Sequence, residues 1–402
     1  MEIGFFSTDF STEPVVDEYQ SQIQQKQVFV PGQQRMSFGG TFLQRGAMPA
    51  MELNKHGYDN HLSWRFEVAP DGHIRTLDME GNWHDPDCWL SQRWMHRDGV
   101  EQVRRARAAG QVVGADLDDA FHALPKSNVA HATTDPKNNI DFNRDHYWNM
   151  LAECDFVTVS TEPLKREMER LGVPAFVVRN AIQLERWPQN DPGVGYISWI
   201  GGLQWRAADI PVLRSIGLPQ FLEDYGLPFY HGGDSQVPGV KKVWDVAGID
   251  ATKVQVAAAP LTHIAQYPNL WGPVAVMLIP LERCRFNEAK SYLKALEACC
   301  AGVPYIVSAG FPEHQILIDE GSAGRVARND KPSSWIGHLE ELLDPDVRRA
   351  EGKINRTIAE RHDITERWID WHEVYSQFMS VPGAAGTAPA PAETLEEVPT
   401  GG

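Results

Sequence analysis

An α/β chain built from two Rossmann-like domains is the fold class this sequence predicts, and three observations predict it. The length of 402 residues exceeds one ordinary core and suits two domains of roughly 180 residues each. Apolar strand-like runs alternate with helical segments, and in each half a strand-like run is followed by adjacent glycines, at Gly39-Gly40 and at Gly201-Gly202. Residues 187–194, rich in Pro, Asp, Asn and Gly, have the composition of an interdomain linker. The expected organisation is an N-terminal domain over 1–186, the linker 187–194, a C-terminal domain over 195–380 and a disordered tail over 381–402. That tail is Pro, Ala, Gly, Thr and Glu with almost no large apolar groups.

Composition narrows the function. With 42% apolar and 10% aromatic residues there is material for both cores. Acidic residues outnumber basic ones by 54 to 37, a formal charge of -17, which argues against a general DNA or RNA coat. The cysteines at 88, 154, 284, 299 and 300 show neither CxxC pairing nor zinc-ligand spacing and suit a reducing cytoplasm. The first residues lack the basic start and apolar core of a signal peptide. No run of about 18 apolar residues could span a bilayer, so a soluble cytoplasmic protein is expected.

In the N-terminal half, residues 1–26 are polar, apart from the apolar cluster Ile3 to Phe6, and receive no element. The first expected strand is Gln27 to Val30, then the turn Pro31-Gly32, then Gly39-Gly40 and a helix reaching His56-Gly57. Adjacent glycines let the backbone approach a ligand closely, although a plain loop uses them too. From Trp64 to Trp94 the chain reads as irregular and aromatic; Trp83, Trp89 and Trp94 stack on a ligand or fill the core. A basic amphipathic helix, Asp98 to Ala109, precedes the strand Gln111 to Ala115, which ends in Asp116-Leu117-Asp118-Asp119 with His122 beyond. Ligands of open parallel sheets bind beyond strand carboxyl ends. The cluster is therefore a ligand contact, a divalent-metal site or a helix cap. A helix near Asp145 to Ala152, the strand Phe156 to Ser160 and a helix opened by Thr161-Glu162-Pro163 complete this half.

The C-terminal half starts with the strand Gly195 to Ile200, the turn Gly201-Gly202 and, shortly after, Arg206, an order that suits a diphosphate held after a strand, a plain surface arginine being the alternative. Further strands are expected at Phe229 to Gly233, Val254 to Ala258 and Val274 to Leu281. Then comes RFNEAKSYLKALEACCAGVP, Arg285 to Pro304, read as one helix capped near Asn287 and Glu288, running to about Ala301 and stopped by Gly302 and Pro304. At 100° per residue, Lys290, Lys294 and Glu297 share one stripe, while Tyr292, Leu296 and Cys300 share an apolar one. Unpaired first-turn N–H groups, the positive dipole end and two lysines suit a phosphate. A solvated face with a Lys294–Glu297 pair is the bland alternative. Helices follow at 335–343 and 363–378.

The order Phe-Asn-x-x-Lys-Ser-x-x-Lys-x-x-Glu-Ala, then Ala-Gly-Val-Pro and a strand, closely resembles the donor-site signature of retaining nucleotide-sugar glycosyltransferases of the GT-B architecture, the bacterial or phage-type members of group 1, family 4-like. GADLDDAFHALP (114–125) resembles their Asp-x-Asp-Asp loop. RGAMPAMELNKHG (45–57) resembles their first helix, and residues 154–182 resemble the last βαβ of their first domain, with Arg179-Asn180 where Pro-Asn is common. Pro312-Glu313-His314 and residues 320–324 match the closing loop, so the resemblance covers roughly 27–378.

It implies two Rossmann-like domains with parallel sheets facing a central cleft, a terminal helix crossing back onto the first domain, and sugar transfer from a UDP- or GDP-type nucleoside diphosphate-sugar with retention. It implies no cofactor and no metal. Donor contacts fall on Gly39, Gly40, Gly201, Gly202, Arg206, Asn287, Glu288, Lys290, Ser291, Lys294 and Glu297, with Arg45 a further candidate. Arg206, Lys290, Lys294 and the amides near Ser291 would meet the diphosphate, and Glu297 the ribose. Catalytic roles fall on Asp118, Asp119, His122, Arg206 and Lys290. The family's earlier acid, eight positions before Glu297, is replaced by Ala289 with Glu288 adjacent. The acceptor stays open among protein, glycan, small molecule and modified DNA. A non-catalytic sugar-nucleotide-binding protein, a nucleotide-sugar epimerase and a DNA-modifying glucosyltransferase are the competing readings.

Overall fold

Short runs of β-branched, aromatic and aliphatic residues pair into two large sheets because each run has a face to bury, beside a small antiparallel pair of Ser11–Glu13 with Arg35–Ser37. The computed structural model describes residues 2–8, 11–13, 35–37, 40–78, 80–235, 239–262, 264 and 266–379. Its first sheet comprises β1 (Glu2–Ser7), β2 (Asp59–Val68), β3 (Ile74–Asp78), β4 (Trp83–His84), β5 (Cys88–Gln92), β6 (Val112–Leu117), β7 (Phe156–Val159) and β8 (Ala175–Val177). The spatial order is β8-β7-β6-β5-β1-β2-β3-β4, parallel from β8 to β2 and antiparallel at the far edge.

The second sheet comprises β9 (Tyr196–Ile200), β10 (Phe229–Asp234), β11 (Val256–Pro260), β12 (Val274–Ile279), β13 (Tyr305–Ser308) and β14 (Gly324–Ala327). Its order is β11-β10-β9-β12-β13-β14, all parallel. That is the doubly wound Rossmann order, whose switch point lies between β9 and β12. Both faces of the inner strands are buried: Val276 and Leu278 of β12 join one core, Met277 and Ile279 the other. Strands of this kind read as continuous apolar runs, which is why this half was legible.

The helices that shape the site are α1 (Met48–Lys55), α2 (Glu162–Arg170), α3 (Arg285–Glu288), α4 (Leu293–Ala301), α5 (Pro312–Asp319) and α6 (Ile364–Phe378). Leu164 and Met168 of α2 pack with Phe6, Trp89 and Val113 on one face of the first sheet. On the other face Leu53 of α1 and Trp371 and Tyr375 of α6 pack with Ile3, Phe5 and Phe156, so the last helix does return to the first sheet. Among the described residues, no helix is long and apolar enough to cross a membrane.

Four expectations need correction. The cluster Ile3 to Phe6, left without an element, is the interior strand β1; buried on both faces, it shows no alternation to betray it. The expected strand Gln27 to Val30, the turn Pro31-Gly32, Gly39 and the tail 381–402 lie outside the described residues. The stretch Trp64 to Trp94 is not irregular. It forms the rest of β2 and all of β3 to β5, with Trp89 fully buried and Trp83 exposed, its pattern blurred because the antiparallel edge carries Arg65, Glu67 and Arg75. The strand expected at Val254 to Ala258 starts two residues later, Val254 being buried in the core ahead of it.

The last correction matters most. Arg285 to Ala301 is two helices, α3 and α4, separated by Ala289 to Tyr292. The N-cap of α3 is Cys284, without a side-chain cap bond, so Asn287 and Glu288 do not cap it. Thr161 Oγ1, on the opposite half, donates to the Ala289 carbonyl at 3.0 Å, so a tertiary bond satisfies that carbonyl where the helix is interrupted. The apolar stripe survives in Tyr292, Leu296 and Cys300, all buried. Lys290 stands off the helix, released to face the other half.

Candidate active site

The carboxyl ends of the parallel strands of both sheets converge, as open α/β sheets dictate. Immediately after β5 comes Arg93, the one described non-glycine residue with left-handed backbone, at φ 58°. A residue held there costs conformational energy and is a marker of functional sites. Arg93 Nη2 meets Asp118 Oδ2 at 2.6 Å and donates to Thr41 Oγ1 at 2.9 Å. Burial works against the charged Asp118 carboxylate, but Arg93, Lys290 and Arg45 outweigh it and hold its pKa below the usual range. Next along the chain, Asp119 Oδ1 lies 2.5 Å from Lys290 Nζ, whose ammonium also sits 4.3 Å from the Phe286 ring centroid.

Asp118, Asp119, Gly40, Lys290, Ser291 and Glu297 share the wall of one cavity of about 270 Å³, with Thr41, Arg45, Asn180 and Tyr267. Sequence order separates these groups by up to 257 positions; the convergence of strand ends joins them. The start of α4 lies at this wall, with the Leu293 and Lys294 N–H groups ahead of the first helical bond, which Ala295 makes to the Tyr292 carbonyl. Asn180 Nδ2 donates to Ser291 Oγ at 2.9 Å, tying the two halves beside Lys290.

Asp116 belongs to β6 and is not a free member of the acidic cluster. It is 2% exposed and receives Arg45 Nη2 at 2.7 Å, Thr158 Oγ1 at 2.7 Å and Gln92 Nε2 at 3.1 Å. The Arg45 side chain, 1% exposed, also donates to the Val178 carbonyl, so this pair forms the buried floor of the cavity.

Glu297 is 4% exposed. Its Oε2 receives Tyr267 Oη at 2.8 Å and Lys294 Nζ at 2.6 Å. Burial, then the Glu297 charge, raise the Tyr267 pKa, so the phenol stays a donor to that carboxylate. The Lys294–Glu297 pair is thus a half-buried, three-membered network and not a solvated face. Asn287 donates to Asp209 Oδ1 at 2.7 Å, and Asp209 also receives Arg206 Nε at 2.8 Å, so Arg206 is joined to the signature segment through a buried carboxylate. Arg206, Gly201 and Gly202 lie outside the cavity wall. Gly201 (φ 155°) packs against Gly233, and a Cβ on Gly202 would strike the Trp205 ring at 2.4 Å.

His122 does not join Asp118 and Asp119. It lies with Glu288 in a second cavity, its ring tilted 49° against Trp148 at 4.4 Å between centroids and its Nε2 3.9 Å from Glu167 Oε2, with neither ring nitrogen hydrogen-bonded. Burial lowers its pKa, keeping it neutral. The one-turn helix after Asp119 swings it away, which the spacing Asp-x-x-His does not reveal.

Sequence reasoning missed Arg93, Thr41, Asn180 as a bridge, Asp209 and Tyr267. Asp209 had a signal, three residues after Arg206 and so one helical turn away; Arg93 had one too, as the first residue beyond a strand. For a metal, the nearest arrangement among the described residues is Glu2, His61 and His84, whose ligand atoms lie within 4.8 Å of one another. Their imidazoles stack at 4.0 Å and 18°, and His61 Nδ1 and His84 Nδ1 meet Glu2 Oε1 at 3.2 and 2.6 Å, so these groups are already paired with one another. The cluster also sits at the amino end of β1, away from the cavity.

No family model matches the sequence. No curated protein matches it either. Among solved structures, the chain is similar to the sucrose-phosphate synthase of Thermosynechococcus elongatus, at 12% identity and a TM-score of 0.59, over 94% of this chain and 98% of that one. It is also similar to Anabaena HepE in complex with UDP and glucose, at 11% identity and 0.58, over 94% and 100%. A glycosyltransferase from Rickettsia africae matches at 11% and 0.56, over 94% and 98%. Likeness at this identity carries the fold, and the fold is GT-B: two parallel-sheet Rossmann-like units facing one another.

Proposed function

We propose that the chain is a glycosyltransferase that moves a sugar from a nucleoside diphosphate-sugar to an acceptor hydroxyl, with retention of configuration and without a metal. One observation carries this reading: a single cavity sets Lys290, Ser291, the start of α4 and Glu297 of one half against Asp118 and Asp119 of the other. In the transfer, the bond from the anomeric carbon to the diphosphate oxygen breaks, the electron pair leaves on the diphosphate, the acceptor oxygen bonds to that carbon, and the acceptor's hydroxyl proton passes to the departing diphosphate oxygen. Lys290 and the α4 amides stabilise the charge that develops on the leaving oxygen, commonly the largest catalytic term. Lys290 is held at the boundary by Asp119, so an arriving diphosphate finds the ammonium already in place. Glu297, oriented by Tyr267 and Lys294, accepts from the ribose. Arg206, outside that cavity wall, supports the signature segment through Asp209 and Asn287. Residues 195–380 form the donor side and 1–186 the acceptor side, joined at 187–194. HepE in complex with UDP-glucose favours a UDP-sugar as the first donor to test.

The test is a donor panel of UDP-, GDP-, ADP- and TDP-sugars with purified protein in EDTA, following nucleotide release, melting shifts and the anomeric configuration of the product by NMR. Stabilisation of about 2.7 kcal/mol is expected from a nucleoside diphosphate at 100 times its dissociation constant. No shift with any of the four nucleotides refutes the reading. Turnover only with added manganese, or an inverted product, refutes its mechanistic half, and conversion of the donor without acceptor would make the chain an epimerase.

A further inference from the structure

Adjoining the Lys290 cavity is a larger one, of about 520 Å³, to which the proposed reaction assigns no ligand. The two meet at a thin partition. Asp119 and Lys290 line the first cavity while their chain neighbours Ala120 and Ala289 line the second, so the Asp119–Lys290 ion pair stands between them. A group bound in the larger cavity would therefore reach the reacting sugar from the side of that pair.

The chemistry of its wall is specific. Arg166 and Arg170 come from α2 of the first half and Arg285 from α3 of the second. Two of these cations are matched by one carboxylate, for Glu167 meets Arg285 at 2.7 Å and Arg170 at 3.1 Å. Arg166 has no carboxylate partner among the described residues. In a chain whose formal charge is -17, three guanidinium groups around one cavity run against the overall balance. Guanidinium is the side chain that pairs bidentately with phosphate and carboxylate. The remaining wall suits hydroxyl groups: Glu288 is an exposed carboxylate without a cation among the described residues, and His122, whose Nε2 lies 3.9 Å from Glu167 Oε2, has neither ring nitrogen hydrogen-bonded.

We propose that this cavity is the acceptor site and that its acceptor is an anionic carbohydrate, one carrying a phosphate or carboxylate that Arg166 and Arg285 bind while a hydroxyl faces the Asp119–Lys290 partition. This rests on the glycosyltransferase reading for the word acceptor, and on the wall alone for the anion.

The experiment titrates the protein calorimetrically with glucose 6-phosphate, glucuronate and glucose, each with and without saturating UDP. The expected result is that at least one of the two anionic sugars binds ten-fold or more tightly than glucose. Arg166→Glu should erase the preference while UDP affinity stays within two-fold of wild type. Because Arg166 is exposed and unpaired, this variant should fold; Arg285→Ala, which also loses Glu167, serves as the second variant. A phosphate preference and a carboxylate preference are told apart by the first two probes. Equal affinity for all three sugars, or an anion preference that survives Arg166→Glu and Arg285→Ala, overturns the proposal. Absence of UDP binding counts against the transferase reading only, since the arms without nucleotide still read the anion site.

Discussion

Replacing Asp116 by alanine should cost the protein more stability than any other single change at the cavity floor. Asp116 and Arg45 are 2% and 1% exposed, and their closest approach is 2.7 Å. Burial alone would lower the pKa of Arg45; the Asp116 carboxylate more than offsets that, so the guanidinium depends on this partner. Asp116→Ala removes the acceptor of Arg45, Thr158 and Gln92 together and leaves a charge in the interior. Breaking a buried pair in this way costs about 3–5 kcal/mol, and a unit of this size loses about 2–4 °C per kcal/mol. The lowest-temperature transition, followed by circular dichroism and calorimetry at pH 7.5, should fall by roughly 6–20 °C. Arg45→Met with Asp116→Ala should recover much of that loss, because the double variant buries no charge. The reasoning is refuted if Asp116→Ala shifts stability by less than about 1 kcal/mol, or if the two single costs simply add in the double variant.

Lys290→Ala should weaken nucleoside diphosphate binding about 30-fold, the loss of a charge-assisted contact of about 2 kcal/mol, while melting as wild type does; unchanged UDP affinity by calorimetry would remove Lys290 from the diphosphate. Leu296→Ala is the contrast: fully buried on the packed stripe of α4, it should destabilise by about 2–5 kcal/mol in urea without changing affinity per folded molecule. Burial beside Arg206 pushes the His314 pKa down to about 3, so the unfolded chain takes up a proton that the folded one refuses between about pH 6.5 and that value. Stability therefore falls as pH drops through this window, by about 1.4 kcal/mol per unit for one such group, and His314→Gln should show a shallower loss between pH 6 and 4. An identical slope in the variant would place the acid sensitivity elsewhere.

By itself, the sequence determined the features that local order controls. The apolar runs of β9, β12 and β13 declared a sheet buried on both faces, and the signature Arg285 to Pro304 declared which residue types would stand at its carboxyl edge. The apolar stripe Tyr292, Leu296 and Cys300 packs as its spacing required. Features that depend on partners distant in the chain stayed hidden. β1 looks like a short apolar scrap until β2 and β5 pair on either side of it. Where the helix breaks, the Ala289 carbonyl accepts from Thr161, 128 positions away. Lys290 then turns to Asp119, 171 positions away, and Asp116 turns inward to Arg45, 71 positions away. His122, three residues from Asp119, ends in a different cavity. Periodicity reports which face a residue occupies on its own element; only the closure of the two halves decides which charges meet, because ion pairs and tertiary hydrogen bonds are set by proximity in space.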